Sequence, residues 1–159
     1  MNVATTIMTT PVTTVSPETS VQEVAELLAG KRFGSLPIVD AQGRVLGVVT
    51  EETIVRRAAE VHLPRHLEFL GSIIYLENPQ RFTEEAEAIL AMTASDIMDR
   101  QFAATRPDVP VAQIATRLLA EDLRRLLVLD AQGVLLGIIT RADIVRQLAL
   151  HEQLPPDGA

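Results

Sequence analysis

Residues 40–56 read DAQGRVLGVVTEETIVR, and residues 130–146 read DAQGVLLGIITRADIVR. The match continues upstream at a constant offset of 90 residues, without a gap. Ile7-Met8 answers Ile97-Met98 and Pro17 answers Pro107. Val21, Ala25, Leu28 and Leu36 answer Val111, Ala115, Leu118 and Leu126. Between residues 7–57 and 97–147, 17 of 51 aligned positions are identical. A repeat of this length is read before any single element, because each copy is one structural unit. Two copies, each small for a stable core, predict halves that bury a shared face about a pseudo-twofold axis.

Composition narrows the class. The chain has 159 residues and 47% are apolar, which suits a packed core and not a disordered segment. With no Trp and one Tyr, that core must be aliphatic. The absence of Cys excludes disulfides and thiolate chemistry and fits a reducing compartment. A formal net charge of −7 argues against a nucleic-acid binder, which needs a basic face. No apolar run reaches the length of a membrane span, and MNVATTIMTTPV lacks the basic and apolar regions of a signal peptide. These features predict a cytoplasmic protein with no nucleic-acid or membrane partner.

Each copy reads as strand–helix–strand–strand–helix. Residues 12–15 form a short extended piece. Ser20 followed by Glu23 is a capping-box spacing, and Val21, Val24, Ala25, Leu27 and Leu28 recur at helical period. Residues 36–40 and 45–49 read as strands joined by a turn containing Gly43. Thr50 then caps a helix running through Ile54, Val55 and Ala58. The second copy predicts a helix at 111–120, strands at 126–130 and 135–139, and a helix from Thr140 through Ile144 and Leu148. The fold class is α/β in the wider α+β sense. The boundaries are a first repeat at 1–61, a helical linker at 62–94, a second repeat at 95–151 and a tail at 152–159.

Within the linker, RHLEFLGSIIYL (65–76) reads as an apolar helix, NPQ (78–80) as a break and TEEAEAILAM (83–92) as a short acidic helix. The apolar set Leu67, Phe69, Leu70, Ile73, Ile74 and Tyr75 needs cover from the pair itself or from a partner. A connector this long is usually functional or structured. His62 and His66 have a metal-ligand spacing if helical, but Pro64 lies between them and no third ligand is near. No Walker loop, nucleophile elbow or Cys/His pair occurs, so the chain does not read as an enzyme.

The ordered set of Ile-Met openings, Pro17 to Val21 and Pro107 to Val111 helix entries, the LPIVD and LLVLD strands and the G-h-h-T-x-x-D ending (with Thr53 in place of the Asp in the first copy), occurring twice, resembles a tandem pair of cystathionine-β-synthase (CBS) domains, a Bateman module. The resemblance covers about two thirds of the chain. It implies two βαββα units, packed sheet to sheet. It further implies adenosine-containing ligands (AMP, ADP, ATP or S-adenosylmethionine) in clefts between the units, frequent homodimerisation, and regulation of another protein.

By that resemblance the ribose element is Thr140-Arg141-Ala142-Asp143, where Asp143 would accept from the ribose hydroxyls. Free N–H groups at the helix start would favour an anion. Thr13, Phe33, Gly34, Ser35, Leu36, Pro37 and Ile138 would hold the base, and Arg124 and Arg125, with Arg141 near in sequence, the phosphate. The mirror cleft would use Met98, Ala103, Leu123, Arg124, Arg125, Thr50 and Thr53. There Thr53 stands in place of the Asp, Glu51 and Glu52 precede it, and Leu127 replaces Pro37. One good site is therefore expected. Thr140 with Asp143 is equally an ordinary helix cap, worth roughly 1 kcal/mol without any ligand. The rival readings are a ligand-free dimerisation or interaction module and, last, a divalent-cation sensor.

Overall fold

The computed structural model describes residues 2–31, 33–61, 66–69, 72–75 and 79–152. In chain order the elements are α1 (Ala4–Ile7), α2 (Val21–Lys31), β1 (Ser35–Val39), β2 (Val45–Thr50), α3 (Glu51–Val61), β3 (His66–Phe69) and β4 (Ser72–Tyr75). There follow α4 (Pro79–Leu90), α5 (Ala94–Ile97), β5 (Ala104–Thr105), α6 (Val111–Ala120), β6 (Arg125–Leu129), β7 (Leu135–Thr140) and α7 (Arg141–Glu152). The order helix, extended piece, helix, strand, strand, helix occurs twice. The mixed α+β class read from the repeat is the observed one.

The elements form for local reasons. The Ser20 hydroxyl accepts from the Glu23 N–H at 3.2 Å, which caps the start of α2. The helix then buries Val21, Val24 and Leu28, one turn apart, as α6 buries Ile114 and Leu118. Strands β1 and β2 pair, as β6 and β7 do antiparallel. Asp130 Oδ1 accepts the N–H groups of Gln132 and Val134 at 2.9 Å each, which closes the β6–β7 turn. Gly43 and Gly133 sit at φ of 82° and 83°, where a side chain would be strained. The extended piece before each first helix is real but brief. Val15 bridges Ile38 in parallel, and β5 runs parallel to β6.

The chain divides into two compact units that interleave in sequence. One comprises Met1–Thr13, Ala41–Val45 and Gln101–Ala159, and the other Thr14–Asp40 and Leu46–Arg100. In the first, Ala4 and Ile7 are buried with Ile114, Leu118, Leu126, Val128 and Ile139. In the second, Ala94 and Ile97 join Val15, Val21, Val24, Leu28, Leu36, Ile38, Val49 and Ile89. Each opening segment thus completes the core of the opposite copy. Thr9 exchanges both backbone hydrogen bonds with Ile138, at 2.8 and 3.1 Å, and Asp99 does the same with Val48, at 2.9 and 3.0 Å. Gly137 and Gly47 allow this approach. A Cβ on Gly137 would lie 2.5 Å from the Met8 sulfur, and one on Gly47 2.6 Å from the Met98 sulfur.

The connector corrects one expectation. The described residues of the stretch 65–76 are strands and not an apolar helix. His66–Phe69 and Ser72–Tyr75 pair as an antiparallel hairpin, from His66 opposite Tyr75 to Phe69 opposite Ser72. The β-branched Ile73 and Ile74 with Tyr75 favour strand. A short apolar run carries no period that separates the two forms. The helix expected at 83–92 is α4, and it starts earlier. Pro79 opens it where NPQ was read as a break, because the first helical position has no use for an N–H. His66 stands on a strand, so the helical metal spacing with His62 does not arise. His62 itself, and the tail from 153, lie outside the described residues. So do the side chains of the hairpin's apolar set.

Candidate functional site

Strand β7 delivers Thr140 to the start of α7, and Asp143 lies one turn further on. Asp143 is 3% exposed. A carboxylate is buried at tolerable cost only when its oxygens are bonded. Here Oδ2 accepts the Thr140 N–H at 2.7 Å and the Thr140 hydroxyl at 3.1 Å. Oδ1 accepts the Thr9 hydroxyl at 3.1 Å and Arg146 Nη1 at 2.8 Å. Two donors on each oxygen are about what a carboxylate accommodates. The capping role anticipated for Thr140 and Asp143 is therefore built, with the acid reaching back to the N-cap amide.

Arg125 opens β6 and stands directly across the ladder from Thr140. Directly opposed residues share one face of the sheet. This places Arg125 beside the Thr140–Asp143 turn. Its side chain is half-buried, and that burial, reinforced by the charge of Arg124, lowers its pKa from the usual arginine value. Arg124 is exposed. Arg141 does not join them. Its guanidinium donates to the carbonyls of Leu123 and Leu118 and to Asp122, so it fastens the α6–β6 loop. Ile138, opposite Leu127, is half-buried where Thr9 bridges it, and Thr13 is exposed.

The remaining candidates belong to the other unit. Phe33 is half-buried and packs on that unit's core, and Gly34 is exposed. Ser35, Leu36 and Pro37 open β1 and are buried, with Leu36 wholly within the core. Leu36 thus has a structural task whatever else its neighbours do.

That unit also contains the mirror element. Thr50 and Thr53 cap each other's amides, at 3.1 and 3.2 Å, in a reciprocal box at the start of α3. Thr53 is 4% exposed and donates its hydroxyl to Asp99 Oδ2 at 2.8 Å. Arg56 grips both oxygens of Asp99, at 3.1 and 3.4 Å. This hydrogen bonding, and then the charge of Asp99, raises the Arg56 pKa. The helix has no acid at the Thr53 position, but Asp99 brings a carboxylate there. Reading along one copy missed Asp99. The signal was in the alignment, where Thr9 faces Asp99 and Thr53 faces Asp143 at the same offset.

Among the described residues no three His, Asp or Glu side chains gather as a metal site. None of the described helices is long and apolar enough to cross a membrane.

The family model for the CBS domain matches residues 3–60 and 94–150. CBSX2, a chloroplastic CBS domain-containing protein of Arabidopsis thaliana, is 29% identical over 136 residues, which are 83% of this chain and 56% of that protein. An uncharacterised protein of Methanocaldococcus jannaschii, MJ1426, is 24% identical over 133 residues, 79% of each chain. Among solved structures, CBSX2 in complex with AMP matches with a TM-score of 0.72 at 24% identity, over 96% of this chain and 100% of that one. The CBS domain pair of MJ0100, in complex with 5′-methylthioadenosine and S-adenosyl-L-methionine, matches with a TM-score of 0.66 at 22% identity, over 94% of this chain and 98% of that one. At these identities the two structures establish a shared fold.

Proposed function

This chain belongs to the CBS-domain family through both of its repeats, and we propose that it is a regulatory module that binds an adenosine-containing ligand at the Thr140–Asp143 element. The observation that carries the reading is the placement of Arg125 across the ladder from Thr140, beside a buried carboxylate at a helix start. The carboxylate suits the ribose hydroxyls, and the guanidinium suits a phosphate. Thr13, Ile138 and Arg124 of the same unit complete the proposed set there, whereas Phe33, Gly34, Ser35, Leu36 and Pro37 belong to the other unit. Asp143 already holds four donors, so a ribose must displace one. Arg146 is the one that leaves at least cost, because its side chain is 64% exposed.

AMP, ADP, ATP and S-adenosylmethionine are the candidate ligands, and AMP and S-adenosylmethionine occupy the two solved relatives named above. The output is a change in an unidentified protein. A ligand shifts such a module only through different affinity for two of its states. The test is thermal unfolding with each ligand, and with Mg²⁺ alone, near millimolar concentration. A ligand present at about 100 times its Kd adds roughly 2.7 kcal/mol, a rise of several degrees. No rise with any adenosine compound would overturn the reading.

One observation favours the second reading, an interaction module. Val145 and Leu148 of α7 are 65% and 63% exposed. Val55 on α3, the repeat counterpart of Val145, is exposed to the same degree. An apolar helix face of this kind supports a homodimer. Val145→Glu with Leu148→Glu, followed by light scattering, tests it, and an unchanged mass would remove the support.

A further inference from the structure

The two opening segments are nearly interchangeable in their apolar parts. Ala4 and Ala94 are both fully buried, and Ile7 and Ile97 are buried to the same extent. Met8 seats on Gly137 as Met98 seats on Gly47, and both segments bridge the last strand of the opposite copy in the same way. Packing alone therefore does not tell the chain which segment belongs on which copy. The polar residue after each Ile-Met pair does differ.

Besides the threonine that caps its helix, each native docking site contains one carboxylate, one hydroxyl and one arginine, with the first two exchanged between chain positions. On α7 the acid is Asp143 and the docked segment brings the hydroxyl of Thr9, with Arg146 on the acid. On α3 the helix has the hydroxyl of Thr53 and the docked segment brings the acid of Asp99, held by Arg56. We infer that Thr9 with Asp143 and Asp99 with Thr53 form a pairing code, which directs each opening segment onto the opposite copy and rejects docking onto its own.

The physical reason lies in the alternative. If each segment folded back on its own copy, Asp99 would meet Asp143 and Thr9 would meet Thr53. The first contact sets two carboxylates together at a buried position, with only Arg146 between them. The second takes from Arg56 the carboxylate it grips and leaves two hydroxyls without a charge. Repulsion and unmet hydrogen bonds in the wrong arrangement give specificity that shared apolar contacts cannot.

The experiment exchanges the code by halves. Thr9→Asp with Asp99→Thr alters only the segments, and Thr53→Asp with Asp143→Thr alters only the helices. Each double variant should lose roughly 5 °C or more in Tm. The fourfold variant, which restores one acid and one hydroxyl at each site, should regain most of that loss. Double variants as stable as the native chain, or a fourfold variant no better than the doubles, would overturn the code. The outcome is independent of whether any adenosine ligand binds.

Discussion

The hydroxyl of Thr53 donates to the carboxylate of Asp99 at 2.8 Å, across 46 residues of chain. This bond brings to the Thr53 position of α3 the carboxylate that α7 carries at the matching position, Asp143. It also ties the segment opening the second repeat to the helix closing the first. The mirror bond, from Thr9 to Asp143 at 3.1 Å, spans 134 residues.

Asp143 has a structural role whether or not it contacts a ligand. Asp143→Ala removes the acceptor for the Thr140 amide and for two hydroxyls at a buried position. We expect a loss of about 2 kcal/mol, within the range for unsatisfied buried groups. Urea unfolding monitored by circular dichroism reads it. A loss below about 0.5 kcal/mol would show that water replaces the carboxylate.

On the proposed reading, Arg125 should distinguish a nucleotide from its nucleoside. With AMP as the probe, Arg125→Gln should weaken binding roughly tenfold or more, the scale of a lost charge-assisted hydrogen bond. Adenosine should bind both proteins alike. Calorimetric titration decides, and an equal loss for both ligands would place Arg125 away from the phosphate.

The two close-packing glycines differ in what they face. The three atoms nearest an added Cβ at Gly137 all belong to the Met8 side chain, whose sulfur and Cγ can bend away. At Gly47 it also meets the Asp99 carbonyl oxygen at 2.8 Å, which is backbone. Gly47→Ala should therefore cost more than Gly137→Ala, within the roughly 1–3 kcal/mol typical of overpacking. Met8→Ala should relieve Gly137→Ala, whereas Met98→Ala should leave most of the Gly47→Ala loss in place.

Gly133 faces open space, so Gly133→Ala isolates the backbone term. Its φ of 83° predicts a cost of about 1 kcal/mol with no packing contribution. An unchanged Tm would show that the turn adapts.

Asp96 gives an acid-side signature. It accepts the Thr93 N–H at 3.0 Å and the Thr93 hydroxyl at 2.9 Å, and these bonds lower its pKa, the backbone bond most. A lowered folded-state pKa stabilises above the unfolded value, 3.8, and that contribution is lost as pH falls through the folded value. Asp96→Asn should therefore be less stable than the native chain at pH 7, with the gap closing in strong acid. A gap that persists unchanged in strong acid would mean the effect is not titration.

The offset of 90 residues identified the repeat, and with it the helices and strands of both copies apart from the short opening helices α1 and α5. Each is set by local period, caps and turn glycines. Residues 65–76 were misread because a short apolar run suits helix and strand alike, and pairing between His66–Phe69 and Ser72–Tyr75 decided it. Thr140 with Asp143 was legible because an acid three residues past a cap is a local pattern. Arg141 was not, since its carbonyl partners at Leu118 and Leu123 belong to another element.

By itself, then, the sequence determined two copies of one α+β unit and the capped turn at Asp143, because those depend on neighbours along the chain. Only the tertiary structure decided that each opening segment completes the opposite copy. That choice brings Asp99 to Thr53 and Thr9 to Asp143. It depends on burial and charge pairing between residues that no local pattern relates.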